Sequence, residues 1–266
     1  MGTLIKIVAG GAAIYFAFKI NIIFGLIVIA ALLLFIYTTY YSQYMAMRAN
    51  AIYNNGDAEL AIKYYKKAIA SKNHKFDTVL GYAMLLLRTG NPDEAMKQVN
   101  YVLSYSNLKK EIKLRAKQIR SLINYKLGET DEALEEANEL FEDGYTTSDM
   151  HCIIGLFMIE AKKPWDEILA FCEKAYDYDE DNRDIVDNYL VALIETGNLE
   201  KAKELSDKLI EMAPQFVEAY YHSALLYKKL GDNKKALEIL EKTPDCKRTY
   251  MTTVSEKDIE VLKASL

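Results

Sequence analysis

The apolar and polar positions of this chain divide it into two parts of different character. Residues 4–18 and 20–41 are almost continuously apolar; the second run carries no charge, and Lys19 and Asn21 form a polar break between the runs. The rest of the chain mixes charged and apolar residues up to its C-terminus. Only 4 prolines and 12 glycines occur among 266 residues, a composition that favours helices throughout. We therefore predict an all-α protein in which residues 1–41 precede a polar helical array.

The array repeats with a period near 34 residues, which is typical of stacked helical hairpins. Its turn glycines are spaced by 34, 38, 69 and 34 residues: Gly56, Gly90, Gly128, Gly197 and Gly231. An alanine follows each glycine by five positions: Ala61, Ala95, Ala133, Ala202 and Ala236. Further apolar or small residues follow at nine and twelve positions, and a small residue precedes most of the glycines by seven. Small residues at matched places let successive helices approach closely, and glycine supplies the left-handed turn between them.

These units resemble the tetratricopeptide repeat. The resemblance is clearest in NNGDAELAIKYYKKAI (54–69), KLGETDEALEEANELF (126–141) and KLGDNKKALEILEK (229–242). It covers residues 42–242 in six units and implies a right-handed α-solenoid. Residues 243–266 follow as a tail, in which Ser255 begins a plausible capping helix over the last apolar edge. The abundance of Lys, Asn, Ile and Tyr favours a bacterial source.

Two places depart from the repeat. The fourth unit has Lys163-Pro164-Trp165 where the glycine turn is expected, and Ile168 in place of the alanine. The longer spacing between Gly90 and Gly128 predicts a four-residue insertion near Ser104–Leu114. Between Leu26 and Asn55 there is neither glycine nor proline, so the apolar helix is expected to continue directly into the first repeat helix.

The N-terminal segment has three possible arrangements. At about 1.5 Å per residue, residues 20–41 are long enough to cross a hydrocarbon core of roughly 30 Å, and tyrosines cluster at their end as at a headgroup boundary. The two runs would form a transmembrane hairpin packed through a face of small residues, or the second run alone would span. A cleaved signal peptide is disfavoured because no small-residue cleavage site follows. The small-residue face comprises Ala9, Ala13 and Ala17, with Gly10 and Gly11 alongside.

Charge favours a cytoplasmic array. A hairpin would leave only Lys19 on the far side, with Lys6, Arg48 and the basic first repeat on the near side. A single span makes the count ambiguous, with Lys6 and Lys19 against Arg48 and Lys63. Three cysteines, an odd number without paired spacing, indicate a reducing compartment. The predicted location is therefore the cell membrane, with the repeats in the cytoplasm.

The distribution of charge also limits the partners. The net charge of −5 gives no reason to expect nucleic-acid binding. Residues 129–181 contain 17 carboxylates against three lysines, whereas the first repeat is basic. Its residues Lys63, Lys66 and Lys67 recur at helical spacing and could face anionic lipids. An ordinary solvated helix face explains the same spacing equally well. The expected partners are membrane lipids, through the anchor, and an unidentified protein or peptide.

The resemblance implies that the first helix of each unit lines a concave surface that receives extended peptides or partner helices. The candidate groove residues are Asn50, Met84, Arg88, Leu122, Tyr125, Asn188, Tyr221, Leu225 and Lys228. One subset of the family grips C-terminal carboxylates with asparagines and basic residues. Asn50 and Arg115 resemble parts of that clamp, but Ala46, Gly81 and Ile119 stand where other members would be. We therefore do not predict that activity.

No catalytic or metal-binding motif is found. The three histidines fall in different units, the cysteines occupy apolar helix positions, and no Walker loop, GxSxG or HExxH is present. The sequence thus predicts a non-catalytic, membrane-anchored adaptor that needs no cofactor or metal. The alternative is a single-span extracytoplasmic factor that assists envelope protein assembly or secretion.

Overall fold

The computed structural model describes the backbone of residues 2–266 and the side chains of residues 8–266. Lys6, used above to predict sidedness, lies outside those side chains. Over the described range the chain forms fourteen α-helices and a 3-10 turn, Thr243–Asp245, and no strand. The helices are α1 (Gly2–Ile20), α2 (Ile22–Asn54), α3 (Ala58–Ala70), α4 (Phe76–Arg88), α5 (Pro92–Leu103), α6 (Lys110–Lys126), α7 (Thr130–Glu142), α8 (Ser148–Glu160), α9 (Trp165–Tyr178), α10 (Arg183–Glu195), α11 (Leu199–Glu211), α12 (Val217–Lys229), α13 (Asn233–Leu240) and α14 (Glu256–Ala264). Two compact units result, the first ending at Tyr82 and the second running from Ala83 to Leu266.

In the first unit, α1 and α2 form a helical hairpin around Asn21. This residue has extended backbone (φ −165°), and its side chain accepts a 2.8 Å hydrogen bond from the Phe24 N–H, which caps the start of α2. Ala17 and Gly25 are buried in the contact between the helices. The Phe18 ring packs on Gly25 so closely that a Cβ there would lie 2.6 Å from it. Any larger residue at this crossing would force the Phe18 ring to move.

The contact between α1 and α2 uses only part of the predicted small-residue face. Ala9 and Ala13 are exposed, whereas Gly10 and Ile14 are half-buried in line with the buried Ala17. In a helix of 3.6 residues per turn, each step of four residues rotates the side-chain position by about 40° around the helix axis. Three alanines at this spacing therefore do not all face the same narrow strip of the neighbouring helix. Alternating steps of four and three, as in the observed set, keep the seam straight.

Helix α2 is continuous over 33 residues, about 50 Å, and confirms that the apolar helix runs into the first repeat. By length and composition, it is the one helix among the described residues that could cross a membrane. The part of α1 whose side chains are described, Val8–Ile20, is apolar but shorter. The boundary predicted after residue 41 falls inside it. Within residues 22–36 of this helix, the large apolar side chains that are more than half exposed are Ile22, Ile23, Leu26, Ile27, Leu33, Leu34, Phe35 and Ile36.

The C-terminal part of α2 pairs with α3 as the first repeat. Ala49 and Ala61 are fully buried where the two helices meet. The Tyr65 hydroxyl donates a 2.8 Å hydrogen bond to the Asn50 side chain. The loop after α3 returns along α2, since the Asn73 side chain donates to the Thr38 carbonyl at 3.2 Å. The first repeat thus lies beside the last turns of the apolar run.

Five further helix pairs follow: α4–α5, α6–α7, α8–α9, α10–α11 and α12–α13. All of them lie in the second unit except the first part of α4, up to Tyr82. With the first repeat they make the six predicted units. The four alanines that follow the turn glycines of this unit are all fully buried: Ala95, Ala133, Ala202 and Ala236. The repeat register read from the sequence is therefore confirmed, and the all-α, repeat-type fold with it.

The fourth repeat, α8–α9, makes the same turn without glycine. Lys162, not the predicted Lys163-Pro164-Trp165 step, takes the left-handed conformation, with φ 53°. The Lys163 N–H bonds the Met158 carbonyl at 3.1 Å, the same five-residue bond that Asn198 makes to Leu193 after the turn glycine of the next unit. Ile168 is fully buried at the alanine position. Backbone hydrogen bonding forms this turn, at the steric cost of a side chain in the left-handed region.

The four extra residues between the second and third repeats lengthen a helix. Helix α6 has 17 residues, whereas the first helices of the other repeats in this unit have 13. Its additional turn begins at Lys110, inside the predicted range.

The C-terminus covers the end of the array as predicted. Ser255 and Asp258 form a capping box at the start of α14. Ile259 and Leu262 of this helix are buried in a cluster with Val217 and Leu240 of the last repeat. The last apolar edge is thereby removed from solvent.

Candidate peptide-binding face

The predicted groove residues of the second unit lie on the first helices of its repeats, α4, α6, α8, α10 and α12. We call the surface that these helices present together the inner face. Its predicted members are Met84, Arg88, Leu122, Tyr125, Asn188, Tyr221, Leu225 and Lys228. Asn50 belongs to the first unit, where its side chain accepts the Tyr65 bond described above.

Tyr125 and Lys126 mark a point where three of these helices converge. The Tyr125 ring is only 9% exposed and lies 5.1 Å from that of Phe157 on α8. Burial raises the Tyr125 pKa, and the charges of Glu160 and Glu218 raise it further. Burial lowers the Lys126 pKa, and the same two carboxylates oppose that effect. The ends of α6 and α8 and the start of α12 therefore meet on the inner face.

Five carboxylates are distributed along this part of the inner face, from Asp149 in the first turn of α8 to Glu160 at its end. Burial raises the pKa of Asp184 to about 6, and repulsion from Asp187, Glu218 and Asp149 adds to it. Solvent still reaches Asp184, so the shift reflects an enclosed position among like charges more than sealing from water. With Glu160 these residues form what we call the acidic cluster, contributed by α8, α10 and α12.

His222 is the cationic partner within the acidic cluster. Its Nδ1 lies 2.9 and 3.1 Å from the two carboxylate oxygens of Asp187. Burial lowers the His222 pKa, but Asp187, Glu218 and Glu160 together outweigh it, and the net shift is upward. A protonated His222 offsets part of the negative charge on the inner face.

Several predicted residues are engaged within the array. The Asn188 amide donates to the Cys152 carbonyl at 2.9 Å and packs on Gly155, where a Cβ would lie 2.9 Å from it, so Asn188 joins α10 to α8. Tyr221 and Leu225 pack against the cluster under α14. The Lys228 ammonium donates to the Ser265 hydroxyl at 2.7 Å. On α4 and α6, Leu122 is buried and Met84 half-buried, while Arg88 is exposed.

A segment of the chain itself lies across the inner face. Residues 247–254, here called the tail segment, have no helical structure and link the 3-10 turn to α14. The Tyr250 N–H donates to the Arg88 carbonyl at 3.0 Å, and the Lys247 N–H to the Gln215 carbonyl at 2.9 Å. The Thr253 N–H donates to the Glu218 carboxylate at 2.6 Å. The segment thus connects the start of α12 with the end of α4.

Lys126, Glu218 and Tyr250 are residues of this face that sequence reasoning missed. Lys126 adjoins the predicted Tyr125, so its place at the helix end could have been inferred. Glu218 lies in the first turn of α12, where an acidic residue is ordinary. Tyr250 lies outside any periodic pattern, and no feature of the sequence places it beside Gly90.

The remaining candidates for chemistry have structural surroundings. Burial raises the pKa of Cys172 to about 12, and burial followed by Asp184 raises that of Cys152, so both thiols are poor nucleophiles. The His151 ring stacks on Tyr178 at 4.3 Å. From residue 8 onward, no group of three His, Cys, Asp or Glu side chains is placed to hold a metal ion.

Two segments of the chain, residues 54–106 and 193–250, match the tetratricopeptide repeat family. They include helices α3 to α5 and α11 to α13, and leave residues 107–192 between them unmatched. The chain thus carries tetratricopeptide repeats, which generally serve as non-catalytic modules that bind peptides or proteins.

Solved structures agree with this fold. A tetratricopeptide repeat protein from Parabacteroides merdae is similar with a TM-score of 0.55 and 18% identity, over 84% of both chains. PilF of Pseudomonas aeruginosa is similar with a TM-score of 0.60 and 14% identity, over 85% of this chain and 97% of that one. No curated protein matches the sequence. At these identities the similarity establishes the fold alone.

Proposed function

We propose that this protein is a non-catalytic adaptor, bacterial in origin, anchored in the cell membrane by its N-terminal hairpin. Its repeats bind a protein or peptide partner through the inner face, on the cytoplasmic side. In this proposal residues 1–41 are the anchor, 42–242 the repeat array and 243–266 the capping tail.

The observation that carries the proposal is the exposed apolar part of α2. Side chains such as Leu33, Leu34 and Phe35 are each more than 60% exposed, and they continue around the helix. Soluble proteins rarely leave such a surface uncovered. Lipid would cover it, and the same helix then buries Ala49 in the first repeat. The anchor and the array would therefore be joined without a flexible linker.

The residues that follow the apolar part suit a headgroup boundary. The rings of Tyr37 and Tyr41 lie 5.3 Å apart, and Arg48 donates to the Tyr44 hydroxyl at 3.2 Å. Tyrosine and arginine favour the interfacial level of a bilayer. The contact of Asn73 with Thr38 brings the adjoining Lys72 to the same level, where anionic lipids would attract it.

The binding role is supported by the inner face and by the repeat family. Its groups converge from α6, α8 and α12, and it carries both the acidic cluster and an exposed arginine, Arg88. Proteins with these repeats bind peptide or protein partners. A membrane anchor would raise the effective concentration of the array near membrane partners without any new contact.

Membrane insertion and sidedness are tested first. Membranes containing the full chain are washed with alkaline carbonate, and a topology reporter is fused after Leu266. We expect the chain to remain in the membrane and the reporter to be active in the cytoplasm. Release by carbonate would refute the anchor. A reporter active only outside would favour the extracytoplasmic assembly factor.

The binding face is tested by photo-crosslinking in the same membranes. A photoreactive amino acid replaces Arg88 on the inner face, and the matched control replaces Lys97, a solvated residue on the second helix of the same repeat. We expect a discrete crosslinked protein from position 88 and none from position 97. The same product from both positions would remove the inner face from the proposal.

A further inference from the structure

The tail segment is held at three places along its length, and chiefly through its backbone. The backbone carbonyls of Gln215 and Arg88 accept hydrogen bonds from the N–H groups of Lys247 and Tyr250, respectively. The Glu218 carboxylate accepts one from the Thr253 N–H. The Val254 N–H also points to that carboxylate, at 3.5 Å. The segment turns between these contacts, since the Thr252 N–H donates to the Thr249 carbonyl at 3.0 Å. The inner face therefore holds a turned segment by backbone hydrogen bonds.

Two side chains of the tail segment add selectivity. The Tyr250 ring lies on Gly90, where an added Cβ would be 3.4 Å from its Cδ2. The Lys126 ammonium stands 5.0 Å from the ring centroid, in cation–π range. Three residues later, the Thr253 hydroxyl donates to Glu218 at 3.2 Å. Glycine leaves room for the ring on one side, and lysine approaches it from another.

The basic residues of the segment make different contacts. Arg248 pairs with Glu256 at the start of α14, at 2.9 Å, and donates to the Val254 carbonyl at 2.8 Å. These bonds fold the segment onto its own capping helix. Recognition by the inner face therefore depends on the tyrosine, on the threonine and on the backbone between them.

We infer that the inner face is a site for a peptide with the pattern Tyr-x-x-Thr that turns at its tyrosine, and that residues 247–254 are its resident ligand in cis. This rests on the proposed role of the inner face in partner binding. A partner segment of the same chemistry must displace the tail segment. A tethered ligand competes at high effective concentration and keeps the site occupied for most of the time. The apparent affinity for a partner then equals the intrinsic affinity multiplied by the fraction of molecules whose site is open.

The test uses the purified full chain in detergent micelles and a fluorescent, C-terminally amidated octapeptide, KRTYMTTV, that copies residues 247–254. We expect Tyr250→Ala in the chain to loosen the tail segment and tighten octapeptide binding at least about tenfold relative to the unsubstituted chain. Adding Glu218→Ala should reverse that gain, and an octapeptide with alanine for its tyrosine should bind at least about tenfold more weakly. The matched control, Lys257→Ala on the exposed side of α14, should bind as the unsubstituted chain does.

Equal octapeptide affinity for the unsubstituted chain and for Tyr250→Ala would overturn the inference. A measurement that needs no variant accompanies it: amide hydrogen exchange at Tyr250 and Thr253 should be slower in the unsubstituted chain than in the free octapeptide. Exchange at the free-peptide rate would also overturn it. Neither readout involves lipid or a cellular partner, so failure of the membrane or crosslinking tests above leaves these results distinguishable.

Discussion

The two units place their apolar side chains in opposite ways. In the first, Phe35 and its neighbours on α2 are exposed, and the small residues Ala17 and Gly25 are buried. In the second, Phe157 and Leu190 are fully buried, and charged groups collect on the inner face. The second unit has what a water-soluble repeat array needs, including a cap over its last apolar edge. The first leaves its large apolar side chains exposed, and in our proposal lipid covers them.

The sharpest way to break this contrast is to charge the first unit. Replacing Ile27 and Leu34 together with lysine puts two charges within the proposed span, at about 2.5–3.5 kcal/mol each on insertion scales. We expect the protein to lose its resistance to carbonate extraction. Leu127→Lys makes the same change at an apolar residue of the second unit that is 43% exposed, and should leave extraction unchanged. Stable membrane residence of the double variant would contradict the anchor.

The second unit is tested by opening its cap. Ile259 lies on the buried side of α14 and is 3% exposed. Ile259→Ala should therefore lower the free energy of unfolding by about 2–4 kcal/mol, through lost burial and the cavity left behind. Urea unfolding in detergent measures it. Val261→Ala, at a position 60% exposed on the same helix, should change the free energy by less than about 0.5 kcal/mol. Equal effects would mean that α14 is not a cap.

The fold was largely predictable because repeat packing is periodic. Alanines such as Ala61 and Ala133 can be aligned from one glycine to the next, and each lies fully buried where the alignment puts it. The misses are places where the periodic signal is absent or misleading. Lys162 takes a left-handed turn that lysine rarely adopts, and the alanine spacing of α1 drifts off the seam.

The candidate site was less predictable because it is assembled from distant helices. The sequence could place Arg88 and Tyr125 on first helices, as found. It could not show that Asp149, Asp184 and Glu218 approach one another, since that depends on how α8, α10 and α12 stack. Nor could any pattern show that the tail segment returns to Arg88.

Within the second unit, the fourth turn offers a smaller test. Lys162→Gly should raise the free energy of unfolding by about 1 kcal/mol, because glycine reaches the left-handed conformation without the steric cost borne by lysine. Gly128→Ala, at φ 91°, should lower it by a similar amount. Thermal unfolding of the two variants in detergent checks the pair. A destabilised Lys162→Gly would show that the lysine side chain has a role of its own.

The smallest expected effect comes from the charge that the second unit turns inward. Asp184 has its pKa raised to about 6 from an ordinary 3.8, because burial and the neighbouring carboxylates outweigh its backbone hydrogen bond. Between these values the folded state binds more protons than the unfolded state, so this group costs stability as the pH rises. His222 acts in the same direction, since its raised pKa gives stability that is lost on deprotonation.

Asp184→Asn should therefore raise the unfolding midpoint at pH 7.5. The difference should shrink as the pH falls to 4, where the native carboxyl is protonated in the folded state and about half protonated in the unfolded state. Solvent reaches this group, so screening should limit the gain to roughly a few tenths of a kcal/mol. Thermal unfolding at pH 4, 5, 6 and 7.5 measures it, with Asp177→Asn on α9, outside the acidic cluster, as the control. A lower midpoint for Asp184→Asn at pH 7.5 would mean that this carboxylate is favourably held, and that the inward charge of the second unit stabilises it.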